Sequence, residues 1–243
     1  MNPFTINSGA VCSCIYWARG LFVLLVILFG GFLLSGCSAL PDKPVRAALY
    51  DFGPGSLTAV PTAQLATLPT LPALPALAID DISTSGGALD NQAVLYRLTY
   101  QDAQELRPYT FARWSMPPAQ LVRQRLREQL GQQRNIFDAR GGLALNRSQA
   151  RSQNAGLPLL LRLDLDEFSH VFTSPGVSVG LIRMRATLIE QTTSGEKLVA
   201  QRSIVVQRPA PSADAPGGVR ALTAATDAAI EEIDVWLQQN QRR

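Results

Sequence analysis

Beyond position 37 the 243-residue chain has no cysteine, and it holds a single histidine, His170. The body therefore contains no disulfide and no thiolate metal site. Metal centres draw several His, Cys or carboxylate ligands, so one imidazole is a poor start. Charge is scarce at one end: residues 1–36 carry only Arg19 and no acid. The remaining 207 residues have 21 basic and 19 acidic side chains, a net of +2. So balanced a body makes a poor nucleic-acid binder, because neutralising phosphates takes a concentrated basic surface. A glycine-rich phosphate cradle is also missing, so any ATP hydrolysis would belong to another chain. With 17% charged and 47% hydrophobic residues, the chain is neither a disordered polyelectrolyte nor a polytopic membrane protein.

What is present begins with Gly20–Leu34, fifteen residues without a charge. The run is short for a membrane span, which needs about 20 apolar residues. Preceded by Arg19, it suits the apolar region of a secretory signal. Leu34, Ser35, Gly36 and Cys37 follow directly and resemble a bacterial lipobox, whose cysteine becomes the first residue of the mature chain. The competing readings are an uncleaved anchor helix and a plain signal with a coincidental cysteine. Apolar run, small residues and cysteine standing in register favour the lipobox. That resemblance implies a diacylglycerol thioether and an N-acyl chain on Cys37, and several acyl chains hold a protein permanently on a membrane. Ser38, in place of the aspartate associated with inner-membrane retention, implies the periplasmic face of the outer membrane. Cys12 and Cys14 precede the run and are assigned no function.

The chain then divides into a signal peptide (1–36), a segment with the lipidated terminus, a short strand and a Leu/Pro-rich linker (37–75), and a folded domain (76–240). Leu68, Leu71, Leu74 and Leu77 recur every third residue, with Pro69, Pro72 and Pro75 behind the first three. Polyproline II has three residues per turn, so these leucines would form one stripe, on a stiff linker or on a docking ridge. Strands are expected at Arg46–Phe52, Ala76–Ile79, Val94–Tyr100 and Arg107–Trp114. A helix should open at Ser115-Met116-Pro117-Pro118, bury Val122, Leu126 and Leu130, and end at Gly131. Leu159, Leu161, Leu163 and Leu165 alternate with Leu160, Arg162, Asp164 and Asp166, the period of a half-buried strand. Val177–Gln191 and Leu198–Val206 follow as a hairpin around Thr193–Glu196. A long amphipathic helix, about Gly217–Gln239, closes the chain. This order predicts an α+β fold, a largely antiparallel sheet with two main helices packed on one face.

Chemistry-bearing residues are few. His170 and Ser169 are neighbours on one strand and so point to opposite faces, which does not suit a nucleophile–base pair. Asp164 and Asp166 could share a cation, yet solvated charges on a strand face account for them more simply. No catalytic residue, metal ligand or cofactor is assigned. Trp114 and Trp236 stand where helices should meet the sheet and read as core anchors. From Ala119 to Gly156 there are seven arginines against Glu128 and Asp138. Arg123, Arg127 and Arg134 in this segment would meet anionic lipid headgroups or an acidic partner. The same charges could instead pair with the terminal helix, whose Asp214–Asp234 stretch has five acids and one arginine.

Taken in order, several landmarks carry a resemblance. They are the Leu34–Cys37 box, Tyr50-Asp51-Phe52, Tyr96-Arg97 with Tyr100, and Tyr109 with Arg113-Trp114-Ser115-Met116-Pro117-Pro118. Leu165-Asp166-Glu167-Phe168, Val171-Phe172, Ala221-Leu222 and Trp236-Leu237 follow. Over roughly Leu40–Leu237 the chain resembles the ABC-type transport auxiliary lipoprotein family, the PqiC-like lipoproteins. The resemblance implies a non-enzymatic docking subunit that works with an MCE-domain protein, and in some relatives an ABC permease and ATPase, in moving lipid between two membranes. It also leaves room for a homo-oligomer. A stand-alone periplasmic lipid carrier and a lipoprotein that assists assembly of another outer-membrane complex are the alternatives.

Overall fold

The computed structural model describes residues 45–55, 74–139, 157–192 and 194–241. Cys37 and the lipobox-like residues before it, the leucine stripe before Leu74, and Arg140, Arg147 and Arg151 lie outside the described residues. The elements run β1 (Ala48–Tyr50), β2 (Leu74–Ile79), β3 (Ser83–Thr84), β4 (Ala93–Leu98), β5 (Asp102–Trp114), α1 (Pro118–Leu130), β6 (Arg134–Asp138), β7 (Leu159–Ser174), β8 (Val177–Thr192), β9 (Gly195–Pro209) and α2 (Ala215–Gln241).

β7 is the spine of one mixed sheet. Along one edge it pairs antiparallel with β8, which in turn pairs antiparallel with β9. Its other edge serves three short strands in succession, all parallel: β2 at Leu159–Leu161, β3 at Asp164–Leu165 and β4 at His170–Phe172. β5 lies antiparallel to β4, β1 runs parallel to β5, and β6 runs parallel to β2. The longest pairings are thus antiparallel, as expected, while every short strand except β4 on β5 joins in parallel. Side-chain alternation is the same in both kinds of ladder, so sequence period does not separate them. β2 also starts two residues earlier than expected, inside the Leu/Pro stretch, where Leu74 and Pro75 are already extended strand. β3 and β6 have no counterpart in the sequence reading.

Both helices join a single core on one face of the sheet. α2 packs across β7, β8 and β9, and α1 packs against α2 and β6. Leu121, Val122, Leu126 and Leu130 of α1 meet Leu222, Ala229, Ile230, Ile233 and Leu237 of α2 over Ile182, Met184, Ala186 and Leu188 of β8. Trp114 and Trp236 are both buried. Trp114 stands edge-on to Phe52 at 5.7 Å and tilted against Phe168 at 5.6 Å, so the segment just after β1 is joined to β5 and β7 by one aromatic cluster.

A β-bulge keeps the long strand amphipathic. Leu161, Leu163 and Leu165 point into the core, and simple alternation would then expose Phe168 and His170. Instead the register shifts between Leu165 and Glu167, so Asp166 is the extra residue. From there Phe168, His170 and Phe172 face the core, and all three are buried. One extra residue thus switches the inward set from odd to even positions.

The helix ends correct one expectation and bear out another. Ser115 does not cap α1: its amide donates to the Tyr50 carbonyl at 2.7 Å, tying the helix entry to β1. The capping position is Pro117, which makes no side-chain hydrogen bond, and Pro118 fills the first turn. Gly131 does end the helix, but with a right-handed φ of −66°. Glycine suits it sterically, since a Cβ there would lie 2.6 Å from the Arg127 carbonyl oxygen.

Candidate functional site

The arginines of α1 and β6 are drawn into the protein. Arg123 donates to Asp138 at 2.7 Å and lies 3.4 Å from Asp81, and Arg127 reaches the same Asp138 oxygen at 3.3 Å. Arg134 is nearly inaccessible and pairs with Asp234 of α2, with a second bond to Gln241 at 2.8 Å. Burial pulls the Arg134 guanidinium below its ordinary pKa, opposed by the charge of Asp234. Arg125, which the sequence reading did not single out, grips Asp227 through two bonds of 2.7 and 3.1 Å. That hydrogen bonding raises its pKa. Helical spacing explains the grouping: Arg123 and Arg127 are four apart and share one face, while Arg125 projects toward α2. Arg125 and Arg134 therefore pair with the acidic terminal helix, and Arg123 and Arg127 with the strand after their own helix.

Beside Arg123 and Arg127 a groove of about 740 Å³ opens between α1 and the Asp81–Asp90 stretch, lined also by Ile82, Met116, Gln120 and Glu128. Acids and arginines alternate around it, so it has no single charge preference. The space between helices and sheet is filled by side chains: Trp114, Leu126, Leu163, Phe168, Ile182 and Leu188 are all 2% exposed or less.

His170 lies at the other end of the sheet, beneath the start of α2. Asp214 caps that helix, accepting from Ser212 Oγ at 2.6 Å and the Gly217 amide at 2.8 Å, and both bonds lower its pKa. His170 Nδ1 lies 2.8 Å from the Tyr109 hydroxyl, and Nε2 is buried without a hydrogen-bond partner among the described residues. Burial pushes the imidazole down to about 4, against the weaker pull of Asp214, and also raises the pKa of Tyr109. The helix approaches so closely that a Cβ on Gly218 would fall 2.4 Å from His170 Nδ1. Ser169, on the opposite side of the strand, donates to Glu167, which is held by Arg97 through two bonds of 3.1 Å. Ser169 and His170 thus belong to separate networks. Asp164 and Asp166 bond Ser83 and Ser85 respectively. No group of three or more His, Cys, Asp or Glu side chains that could hold a metal occurs among the described residues. Among them, too, no helix is long and apolar enough to cross a membrane.

A family model described as the ABC-type transport auxiliary lipoprotein component matches residues 56–234. That span runs from the Leu/Pro stretch through most of α2 and includes every strand after β1. No curated protein matches the sequence. Among solved structures, a Xanthomonas campestris protein of family DUF330 is 19% identical, with a TM-score of 0.54 over 70% of this chain and 89% of its own. An uncharacterised protein is 13% identical, with a TM-score of 0.53 over 79% of this chain and 99% of its own. At such identities the two structures show the fold alone. The match of the family model over most of the chain places the protein in the ABC-type transport auxiliary lipoprotein family.

Proposed function

We propose that this protein is a lipid-anchored accessory subunit of an intermembrane lipid transport system. Tethered through Cys37 to the periplasmic face of the outer membrane, it docks an MCE-domain protein that works with an ABC permease and ATPase. The observation that carries this reading is the family match over residues 56–234, joined to a lipobox ahead of it. The filled core supports docking over carriage, because a lipid carrier needs an apolar cavity and the helix–sheet interface here is occupied by side chains.

Two experiments test the reading. Affinity purification of the full-length protein from native membranes should co-enrich an MCE-domain protein. A stable, lipidated bait that brings down none would overturn the docking role. Native mass spectrometry of residues 38–243 should find no stoichiometric lipid, and retained lipid would favour the carrier. For the anchor, Cys37→Ala should shift the protein from membranes to the soluble fraction or leave an unprocessed precursor. Unchanged fractionation with normal processing would refute it.

A further inference from the structure

β9 is an edge strand of fifteen residues, and among the described residues it pairs only with β8. Long edges are normally blunted by proline, charged side chains, bulges or short length, because a row of free backbone groups invites another strand; the charges on β9 are Glu196, Lys197, Arg202 and Arg208. Here the only proline is Pro209, the last residue, and the single irregularity in register falls near Leu198–Ala200. Exposed aliphatic side chains mark the same strand: Leu198 is 61%, Val199 38% and Val205 54% accessible.

Charge adds a second, independent feature. On the sheet face opposite the helices, Arg183 and Arg185 of β8 stand opposite Val205 and Ser203 of β9. Both arginines are exposed, and neither has a hydrogen-bond or ionic partner among the described residues. Of the acids across from them on β7, Glu167 is paired with Arg97 and accepts from Ser169, while Asp164, opposite Arg185, accepts from the neutral Ser83 hydroxyl. Between Val199 and Gln207 the strand itself has no acid.

We infer that the free edge of β9 is a docking site for an extended, acidic segment of a partner protein, added as a further antiparallel or parallel strand. Backbone hydrogen bonds would supply affinity, and Arg183 and Arg185, one strand in, would select glutamate or aspartate on the incoming chain. A line of amide donors and carbonyl acceptors fits a polypeptide rather than a headgroup surface. A second copy suits the edge poorly, because another β9 has no acid between Val199 and Gln207 to offer Arg183 and Arg185, and its Lys197 and Arg202 are already paired with Glu190 and Glu232.

The test uses the full-length lipidated protein in detergent and a fluorescent nine-residue peptide of alternating glutamate and valine. Saturable binding is expected, with alternate backbone amides of Gly195–Pro209 gaining protection from hydrogen exchange. Arg183→Glu with Arg185→Glu should weaken binding at least tenfold, and so should Val199→Asp with Val205→Asp, a second route should either pair disturb folding. A peptide with lysine in place of glutamate should not bind. Equal binding of the two peptides, unchanged affinity in both variants, or protection located outside β9 would overturn the inference. So would protection of β9 that rises with protein concentration alone, which would assign the edge to a second copy, or protection conferred by phosphatidylglycerol vesicles, which would assign it to lipid.

Discussion

The arginines of α1 and β6 and those of β8 look alike in sequence and differ completely in the folded protein. Arg123, Arg125, Arg127 and Arg134 all find carboxylates within the molecule, whereas Arg183 and Arg185 find none among the described residues. A dense basic run on a helix next to an acidic helix is consumed by internal pairing. Two isolated arginines at i and i+2 of a strand share the solvent side of a sheet whose other face is covered. Local density of charge is therefore a worse guide to an available basic surface than the face on which each charge is presented.

Mutations at the two ends of this comparison should separate widely in cost. The largest effect belongs to the core that both regions rest on: Trp114→Ala should cost about 3–5 kcal/mol, read from urea unfolding, by removing a fully buried ring packed on Phe52 and Phe168. Arg134→Ala should cost about 3 kcal/mol, because it leaves Asp234 half-enclosed without its cation. The double variant Arg134→Met with Asp234→Leu should recover most of that loss, and a cost equal to the single variant would mean that the charge pair was not its source.

Acid should act on the covered face. His170 is held neutral in the folded protein with its pKa lowered to about 4, while the unfolded chain protonates near 6.5. Stability from this group is complete above pH 6.5 and is lost as pH falls from there toward 4, by roughly 3 kcal/mol in all. Thermal melts of the wild type and of His170→Gln should therefore converge as pH drops through this window, and parallel curves would rule the histidine out. The smallest effect is expected on the open face. Arg183→Ser and Arg185→Ser should each change stability by less than about 0.5 kcal/mol, since neither side chain has a partner to lose. A larger cost would show that they are structural after all.

Much of the architecture was readable from period alone. The inward sets Leu161–Leu165 on β7 and Ile182–Leu188 on β8, and the stripe of α2, emerge from alternation and from three- and four-residue steps. Trp114 and Trp236 are buried where helices meet the sheet. The bulge at Asp166 was not legible, because one inserted residue in a ladder leaves no compositional mark beyond a doubled acid. The parallel docking of β2, β3 and β4 on β7 was hidden for a related reason: short strands with few residues have the same pattern whichever way they run. Of the candidate contact residues, Arg123, Arg127 and Arg134 were visible as charges, but their partners Asp138 and Asp234 lie 15, 11 and 100 positions away.

Amino-acid order by itself determined the likeness to a lipoprotein leader followed by Cys37, the poverty of metal-ligating side chains, and the alternation of strands and helices. These depend on residue identity and near-neighbour spacing, which the linear chain already contains. Only the tertiary structure decided which arginines are neutralised, which face of the sheet stays open and which strand is left at its edge. Those outcomes depend on pairing between distant segments, where electrostatics and hydrogen bonding act through space rather than along the chain.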